Sequence, residues 1–108
     1  MEQENLSIKL MVVLALCNWE LEQSEIDEIN NIQKELGTNL RIPEIINELN
    51  RNYVDDVDKA CDDLIIKITN KELQKKVYEY CLKVARSDSN VDIDEANFLQ
   101  KCKKQWSL

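Results

Sequence analysis

The chain contains only one glycine, Gly37, and one proline, Pro43, among its 108 residues. A sheet-rich domain needs frequent tight turns, and glycine and proline are the residues that most often form them. Hydrophobic residues make up 44% of the chain and charged residues 32%, which is typical of a folded globular domain. We therefore expect an all-α fold, with residues 1–108 forming a single domain whose core needs no disulfide or structural metal.

Apolar residues recur at helical spacing in six segments of the chain. The first segment, from about residue 4 to residue 18, is apolar on nearly all sides, which predicts a buried central helix. Gly37 is expected to end the second helix as a left-handed cap, and Pro43 to occupy the first position of a short third helix that frays near residues 50–52.

The last three helices follow without a linker. The fourth is predicted from about residue 54 to residue 68, with its aspartates turned to water. Thr69 opens a Thr-Asn-Lys-Glu sequence that has the form of a capping box and predicts the start of the fifth helix. The sixth helix is expected to turn one stripe of residues inward, namely Ala96, Leu99, Cys102 and Trp106.

Two segments 70 residues apart follow the same pattern. Residues 14–25 and residues 84–95 each pass from an apolar helix through a short acidic turn into the next helix, and apolar positions in one segment match apolar positions in the other. This repeated pattern predicts a compact bundle of about six helices. The bundle would consist of two pseudo-repeated helix-turn-helix halves, residues 6–37 and 73–106, around a middle helix pair.

The second acidic turn places oxygen-bearing side chains on alternate residues: Asp88, Asn90, Asp92 and Asp94, with Glu95 directly after them. Alternating oxygen ligands in a turn suit a hard cation such as Ca²⁺. The turn is not an EF-hand, because Ile93 stands where that loop needs glycine and Leu99 where it needs a bidentate glutamate.

The same turn also fits helix capping. Asp92 and Glu95 have capping-box spacing, and Glu22 and Glu25 hold the matching places in the first turn, with Ser24 and Asp27 as an alternative pair one step on. Capping does not account for Asp88 and Asn90. Two interpretations therefore stay open, capping alone or capping together with cation binding by Asp88, Asn90, Asp92 and Glu95.

The two turns resemble a motif of the TerB-like (tellurite-resistance) family. The second copy carries the resemblance best, as Ala85-x-x-Asp88-Ser89-Asn90-Val91-Asp92-x-x-Glu95. The first copy reads Ala15-x-x-Asn18-Trp19-Glu20-Leu21-Glu22-x-x-Glu25. The resemblance implies an all-helical domain of two pseudo-repeated halves, found in bacterial stress-response and phage-related settings, whose acidic residues bind divalent cations.

The resemblance also assigns roles to individual residues. It matches the family's aspartate to Asp88 and Asn18, and the family's glutamate to Glu95 and Glu25. The glycine that follows the family's aspartate is replaced by serine in the second copy and by tryptophan in the first, and Asn18 lacks the charge of Asp88. The implied Ca²⁺ or Mg²⁺ site is therefore weaker at Asn18 and Glu25 than in the second turn.

The cysteines predict a cytoplasmic protein. The chain has no histidine, and its four cysteines, Cys17, Cys61, Cys81 and Cys102, stand far apart among apolar residues. This pattern excludes a mixed cysteine and histidine zinc site and predicts buried free thiols in a reducing compartment. We expect that the chain is not exported, because it has no signal-peptide pattern. We also expect no membrane insertion, because its longest apolar run, residues 10–17, is too short to span a bilayer.

The net charge of the chain and the catalytic motifs that it lacks disfavour several classes of function. The formal net charge of −7 works against binding to nucleic acid or to an anionic membrane, and favours a cation or a basic protein partner. We expect no catalysis, because the chain has no histidine, glycine-rich phosphate loop or nucleophile elbow. The identity of the partner and the oligomeric state stay open.

Two functions are consistent with these features. The first is a small TerB-like module that acts in stress response through divalent-cation binding, protein interaction or both. The second is an acidic inhibitor or an immunity or anti-defence protein, of phage or bacterial origin, that binds a basic protein surface.

Overall fold

The most apolar segment of the chain forms the central helix, α1. A computed structural model describes residues 2–16, 22–53, 56–86 and 93–108, and in it α1 covers Glu2–Leu16. Residues 10–15 are buried on all sides of α1, which packs against α2, α3, α4, α5 and α6. The predicted central helix is therefore confirmed. Within the described ranges, no helix combines the length and the apolar character needed to cross a bilayer.

The described residues form six helices and no strand. Their bounds are Glu2–Leu16 for α1, Gln23–Leu36 for α2, Ile42–Tyr53 for α3, Val57–Lys67 for α4, Lys71–Arg86 for α5 and Ile93–Gln105 for α6. The Cα radius of gyration is 12.3 Å, close to the value of about 13 Å typical of a 100-residue domain. The all-α prediction is confirmed, whereas the pseudo-repeat of the two halves stays a prediction.

The start of α4 lies later than the sequence predicts. The helix begins at Val57 rather than at residue 54, because Asp56 stands outside it as the N-cap. The carboxylate of Asp56 accepts a hydrogen bond of 3.0 Å from the backbone N–H of Lys59. Aspartate is among the strongest N-cap residues, so this single side chain fixes where the helix starts.

The capping box predicted at Thr69 is wrong by one residue. Asn70 caps α5, since its Oδ1 accepts from the backbone N–H of Leu73 at 3.1 Å. The N–H groups of Thr69 and Asn70 both donate to Gln3 Oε1, at 2.8 and 3.2 Å, and Gln3 Nε2 donates to the carbonyl of Lys67 at 2.9 Å. One side chain of α1 therefore holds the α4–α5 loop, and the cap shifts to asparagine, which is preferred over threonine.

Two smaller differences concern α3. Pro43 is the second residue of the helix rather than the first, because the helix begins at Ile42. The missing N–H of proline is still harmless there, since the first-turn N–H groups have no partner within the helix. The helix also continues through residues 50–52 to Tyr53, so the predicted fraying is wrong.

The inner face of α6 differs from the predicted stripe at one end. Leu99, Cys102 and Trp106 are buried as expected, but Ala96 is exposed and Phe98 is buried in its place. Burying a phenylalanine removes far more apolar surface from water than burying an alanine. Relative to the predicted stripe, α6 is therefore rotated about its axis so that Phe98 rather than Ala96 faces the core.

Gly37 ends α2 as predicted, with a φ of 74°. The loop that follows is held by Gln33, whose side chain is buried. Its Oε1 accepts from the N–H of Leu40 at 2.7 Å and from Thr38 Oγ1 at 3.1 Å, and its Nε2 donates to the carbonyl of Leu40 at 3.0 Å. These bonds fix how the chain leaves α2 and enters α3.

We expect Gly37→Ala to lower the free energy of unfolding by about 1 kcal/mol, because a Cβ is disfavoured in the left-handed region. Apart from its chain neighbours, no heavy atom of the described residues lies within 4 Å of the position that the new Cβ would occupy, so the cost arises from the backbone. Gly37→Asn should lose less, since asparagine tolerates this conformation.

Urea denaturation followed by circular dichroism measures both changes. Asn39→Ala, in the same loop, is the matched control and should shift stability by less than about 0.5 kcal/mol. Equal stability of Gly37→Ala and the unchanged chain would contradict a left-handed cap at this position.

Candidate functional site

The structure describes two of the six residues predicted to bind a cation, Glu25 and Glu95. The other four lie outside the described residues: Asn18, Asp88, Asn90 and Asp92. In the part of the chain that is described, no three potential ligand side chains of aspartate, glutamate or cysteine come together as a metal site would require. Cation binding by the acidic turns therefore stays a prediction.

Glu25 is the third residue of α2 and only 1% exposed. Its Oε1 accepts a hydrogen bond of 3.1 Å from the backbone N–H of Glu22, which is the extended N-cap residue of α2. Of the two capping arrangements that the sequence allows, the structure therefore has the Glu22 and Glu25 pair. Asp27 instead accepts from Gln23 Nε2 at 2.9 Å.

Glu95 holds the same place in α6 that Glu25 holds in α2. It is the third residue of its helix and is also 1% exposed. A carboxylate is stabilised near a helix N-terminus by the helix dipole and by hydrogen bonds to backbone N–H groups. Both glutamates therefore lie where capping requires them, as their spacing in the sequence predicts.

The carboxylates of α4 and of its N-cap fall into two sets. Asp58 and Asp62 face α6, where Lys101 Nζ lies 3.7 Å from Asp58 Oδ1 and 3.5 Å from Asp62 Oδ1. Partial burial opposes the charged form of Lys101, but these carboxylates raise its pKa above the ordinary value. Asp56 and Asp63 form the second set, toward α3, because Asp56 lines a pocket beside that helix and Asp63 is close enough to Tyr53 of α3 to raise its pKa.

An apolar pocket of about 220 Å³ lies between α1, α3 and α4. Asn50, Tyr53 and Asp56 contribute its polar atoms, and Asn50 and Asp56 are exposed to solvent. The apolar lining comes in pairs from the three helices, as Val13, Leu16, Ile46, Leu49, Val57 and Ala60.

Carboxylates surround the Tyr53 side of this pocket. Partial burial, together with the nearby carboxylates of Asp63 and Glu48, raises the pKa of Tyr53. Glu48 in turn accepts from Lys9 Nζ at 3.1 Å, so part of its charge is offset. We use the name acidic pocket face for the pocket together with Glu48, Asp56 and Asp63.

Exposed cations are most numerous on a different helix, α5, which carries Lys71, Lys75, Lys76, Lys83 and Arg86. The helices beside the pocket carry three, Arg51 on α3 and Lys59 and Lys67 on α4. A second, open groove runs along this side of the molecule and mixes both signs of charge, with Glu28, Glu79, Leu82, Lys83 and Arg86 as its lining. The negative charge of the chain is therefore unevenly distributed, and an apolar pocket coincides with carboxylates on the acidic pocket face.

The thiols are buried, as the sequence predicts for the three that the structure describes. Cys61, Cys81 and Cys102 are buried thiols, whereas Cys17 lies outside the described residues. Burial raises the pKa of the Cys61 thiol to about 12. A thiol that stays protonated is a poor nucleophile, so Cys61 acts as a small apolar core residue.

Sequence reasoning missed the pocket, because its lining comes from three helices that are distant in the chain. The one local signal is Tyr53, an aromatic residue that follows the polar run of residues 50–52 and precedes the aspartates of α4. A tyrosine between polar and acidic segments suits a site that is apolar on one side and exposed to solvent on the other.

Comparison with known proteins gives no further guide to the function. No protein-family model, curated protein or solved structure matches this chain.

Proposed function

We propose that this chain is a non-catalytic interaction module that binds a positively charged partner protein through the acidic pocket face. The observation that supports the proposal is the coincidence of an apolar pocket of about 220 Å³ with the exposed carboxylate of Asp56 in its lining, and Asp63 and Glu48 add negative charge near Tyr53. Binding energy in protein interfaces concentrates in buried apolar anchors, while charged residues at the rim steer the partner and set specificity.

The charge distribution supports a basic partner. Asp56 and Asp63 lie on the pocket side of α4, separate from the pair that Lys101 engages. Carboxylates beside a cleft attract ligands of positive charge, and Asp56 and Asp63 contribute more to this attraction than Glu48, which Lys9 partly offsets. The net charge of −7 adds long-range attraction to a basic protein.

Two biological settings fit this surface. As a TerB-like module, the chain would bind its partner during bacterial stress response. As an acidic inhibitor or an immunity or anti-defence protein, of phage or bacterial origin, it would cover a basic surface of a nuclease or defence protein. The identity of the recovered partner separates the two settings.

We expect a variant with Glu48→Gln, Asp56→Asn and Asp63→Asn to lose its partner in a pull-down from cells of the source organism. Asparagine caps a helix about as well as aspartate, so Asp56→Asn removes charge without removing the cap of α4. A second triple variant with the same change in charge, Glu72→Gln, Glu79→Gln and Asp94→Asn, is the matched control.

The unchanged chain and the control should recover the same basic protein, and the complex should dissociate as salt rises from about 50 to 500 mM, because salt screens the charges. Equal recovery by the two triple variants would contradict the proposal. So would a complex that is insensitive to salt.

Divalent-cation binding by the turn before α6 is the second candidate function. The observation that favours it is the buried carboxylate of Glu95 at the start of α6, directly after the alternating oxygens of Asp88, Asn90 and Asp92 in the sequence. Capping needs Asp92 and Glu95 only, so Asp88 is the residue whose removal separates the two roles.

If the turn binds Ca²⁺, a saturating concentration should raise the melting temperature by about 5 °C or more relative to EDTA, because a ligand of the native state stabilises it. Asp88→Ala should abolish that shift, whereas Asp58→Asn on α4 should keep it. A melting temperature that is the same in Ca²⁺, Mg²⁺ and EDTA would remove cation binding and leave capping as the role of the turn.

A further inference from the structure

We infer that the pocket between α1, α3 and α4 takes a single aromatic side chain from a basic segment of the partner protein. The inference rests on the proposed function and specifies its chemistry. The partner segment would place an aromatic residue in the pocket, with lysine or arginine residues beside it to meet Asp56 and Asp63.

The size of the pocket limits what it can hold. Sites for small molecules usually enclose about 300–1,000 Å³, whereas this pocket has about 220 Å³. An apolar cavity of about 150 Å³ is large enough to bind benzene. The pocket therefore fits one aromatic ring with its linking carbon atoms.

The lining favours an aromatic ring over a polar side chain. Each of the three helices supplies apolar side chains, such as Val13, Leu49 and Val57. Tyr53 adds an aromatic ring to this lining, and its side chain is partly buried against the helices around it. Two aromatic rings in contact stabilise a complex beyond the burial of their surface.

Charge complementarity identifies the rest of the partner segment. Asp56 lines the pocket and is exposed, and Asp63 is close enough to Tyr53 in the lining to raise its pKa. A neutral or acidic segment would bring no counter-charge to these groups, whereas lysine or arginine beside the aromatic residue would. Aromatic residues and arginine are also the commonest hot-spot residues in protein interfaces.

Other exposed apolar residues lack this combination. Ile66 on α4 is 62% exposed and Ile93 at the start of α6 is 75% exposed, but neither lines the pocket. Single exposed apolar side chains are common on protein surfaces and need no partner. Ile66 is useful as a control position, because it lies on the same helix as Val57.

A fluorescein-labelled synthetic peptide tests the inference directly. The probe is an amphipathic peptide rich in lysine and arginine with one tryptophan, and its comparison peptide has serine in place of that tryptophan. By fluorescence anisotropy, the unchanged chain should bind the tryptophan peptide about tenfold more tightly or better. Val57→Phe fills the pocket and should remove that preference, whereas Ile66→Phe should keep it.

A second pocket variant keeps the test decisive if Val57→Phe disturbs the fold. Asn50 is exposed and lines the pocket, so Asn50→Trp blocks the pocket from the solvent side and should also remove the preference for tryptophan. Circular dichroism confirms that each variant is folded before binding is measured.

The charge variants distinguish failure of the inference from failure of the proposed function. Asp56→Asn with Asp63→Asn should weaken binding of both peptides several-fold, since it removes attraction without blocking the pocket. If these variants weaken binding but the pocket variants do not, the anchor inference is overturned and the proposed function stands. If neither set changes binding, both are overturned.

Two further outcomes would assign the pocket to another occupant. Concentration-dependent dimers of the unchanged chain that Val57→Phe abolishes, seen by analytical ultracentrifugation, would overturn the inference in favour of a second copy of this chain. Free indole that binds as tightly as the tryptophan peptide, and equally to the Asp56→Asn and Asp63→Asn variant, would overturn it in favour of a small apolar ligand.

Discussion

Burial of α1 is the interaction on which the rest of the structure depends. Residues 10–15 are apolar on every side of the helix, so a single neighbouring helix leaves part of that surface in water. Five helices each cover part of that surface with one apolar stripe. Each part of α1 that is removed from water in this way stabilises the folded state. The amphipathic character of the outer helices then follows, because their charged faces must point outward.

The pocket lies at the C-terminal end of α1, where this cover is incomplete. Leu16, the last residue of α1, is only half-buried, and it lines the pocket together with residues of α3 and α4. Asp56 ends up beside it because it is the N-cap of α4. A requirement of helix formation therefore places a carboxylate next to exposed apolar surface, and this pairing is the physical basis for proposing an interaction site.

Features set by local sequence were predictable, and features set by distant contacts were not. The central position of α1, the cap at Gly37 and the burial of Cys61 follow from periodicity and composition. The cap of α5 was missed because Gln3, 66 residues away, binds the N–H of Thr69. For the site, the capping positions of Glu25 and Glu95 were predictable from spacing, whereas the pocket required the packing of three helices and cation binding stays a prediction.

Methyl NMR of the complex with the tryptophan peptide tests the anchor pocket most directly. The observed groups are the methyls of Ile46 and Val57, which line the pocket, and of Ile66, which lies outside it. We expect intermolecular nuclear Overhauser effects between the indole ring and the methyls of Ile46 and Val57, and none to Ile66. Contacts of the indole ring to Ile66 or to α5, with unchanged Ile46 and Val57 signals, would contradict the role of the pocket.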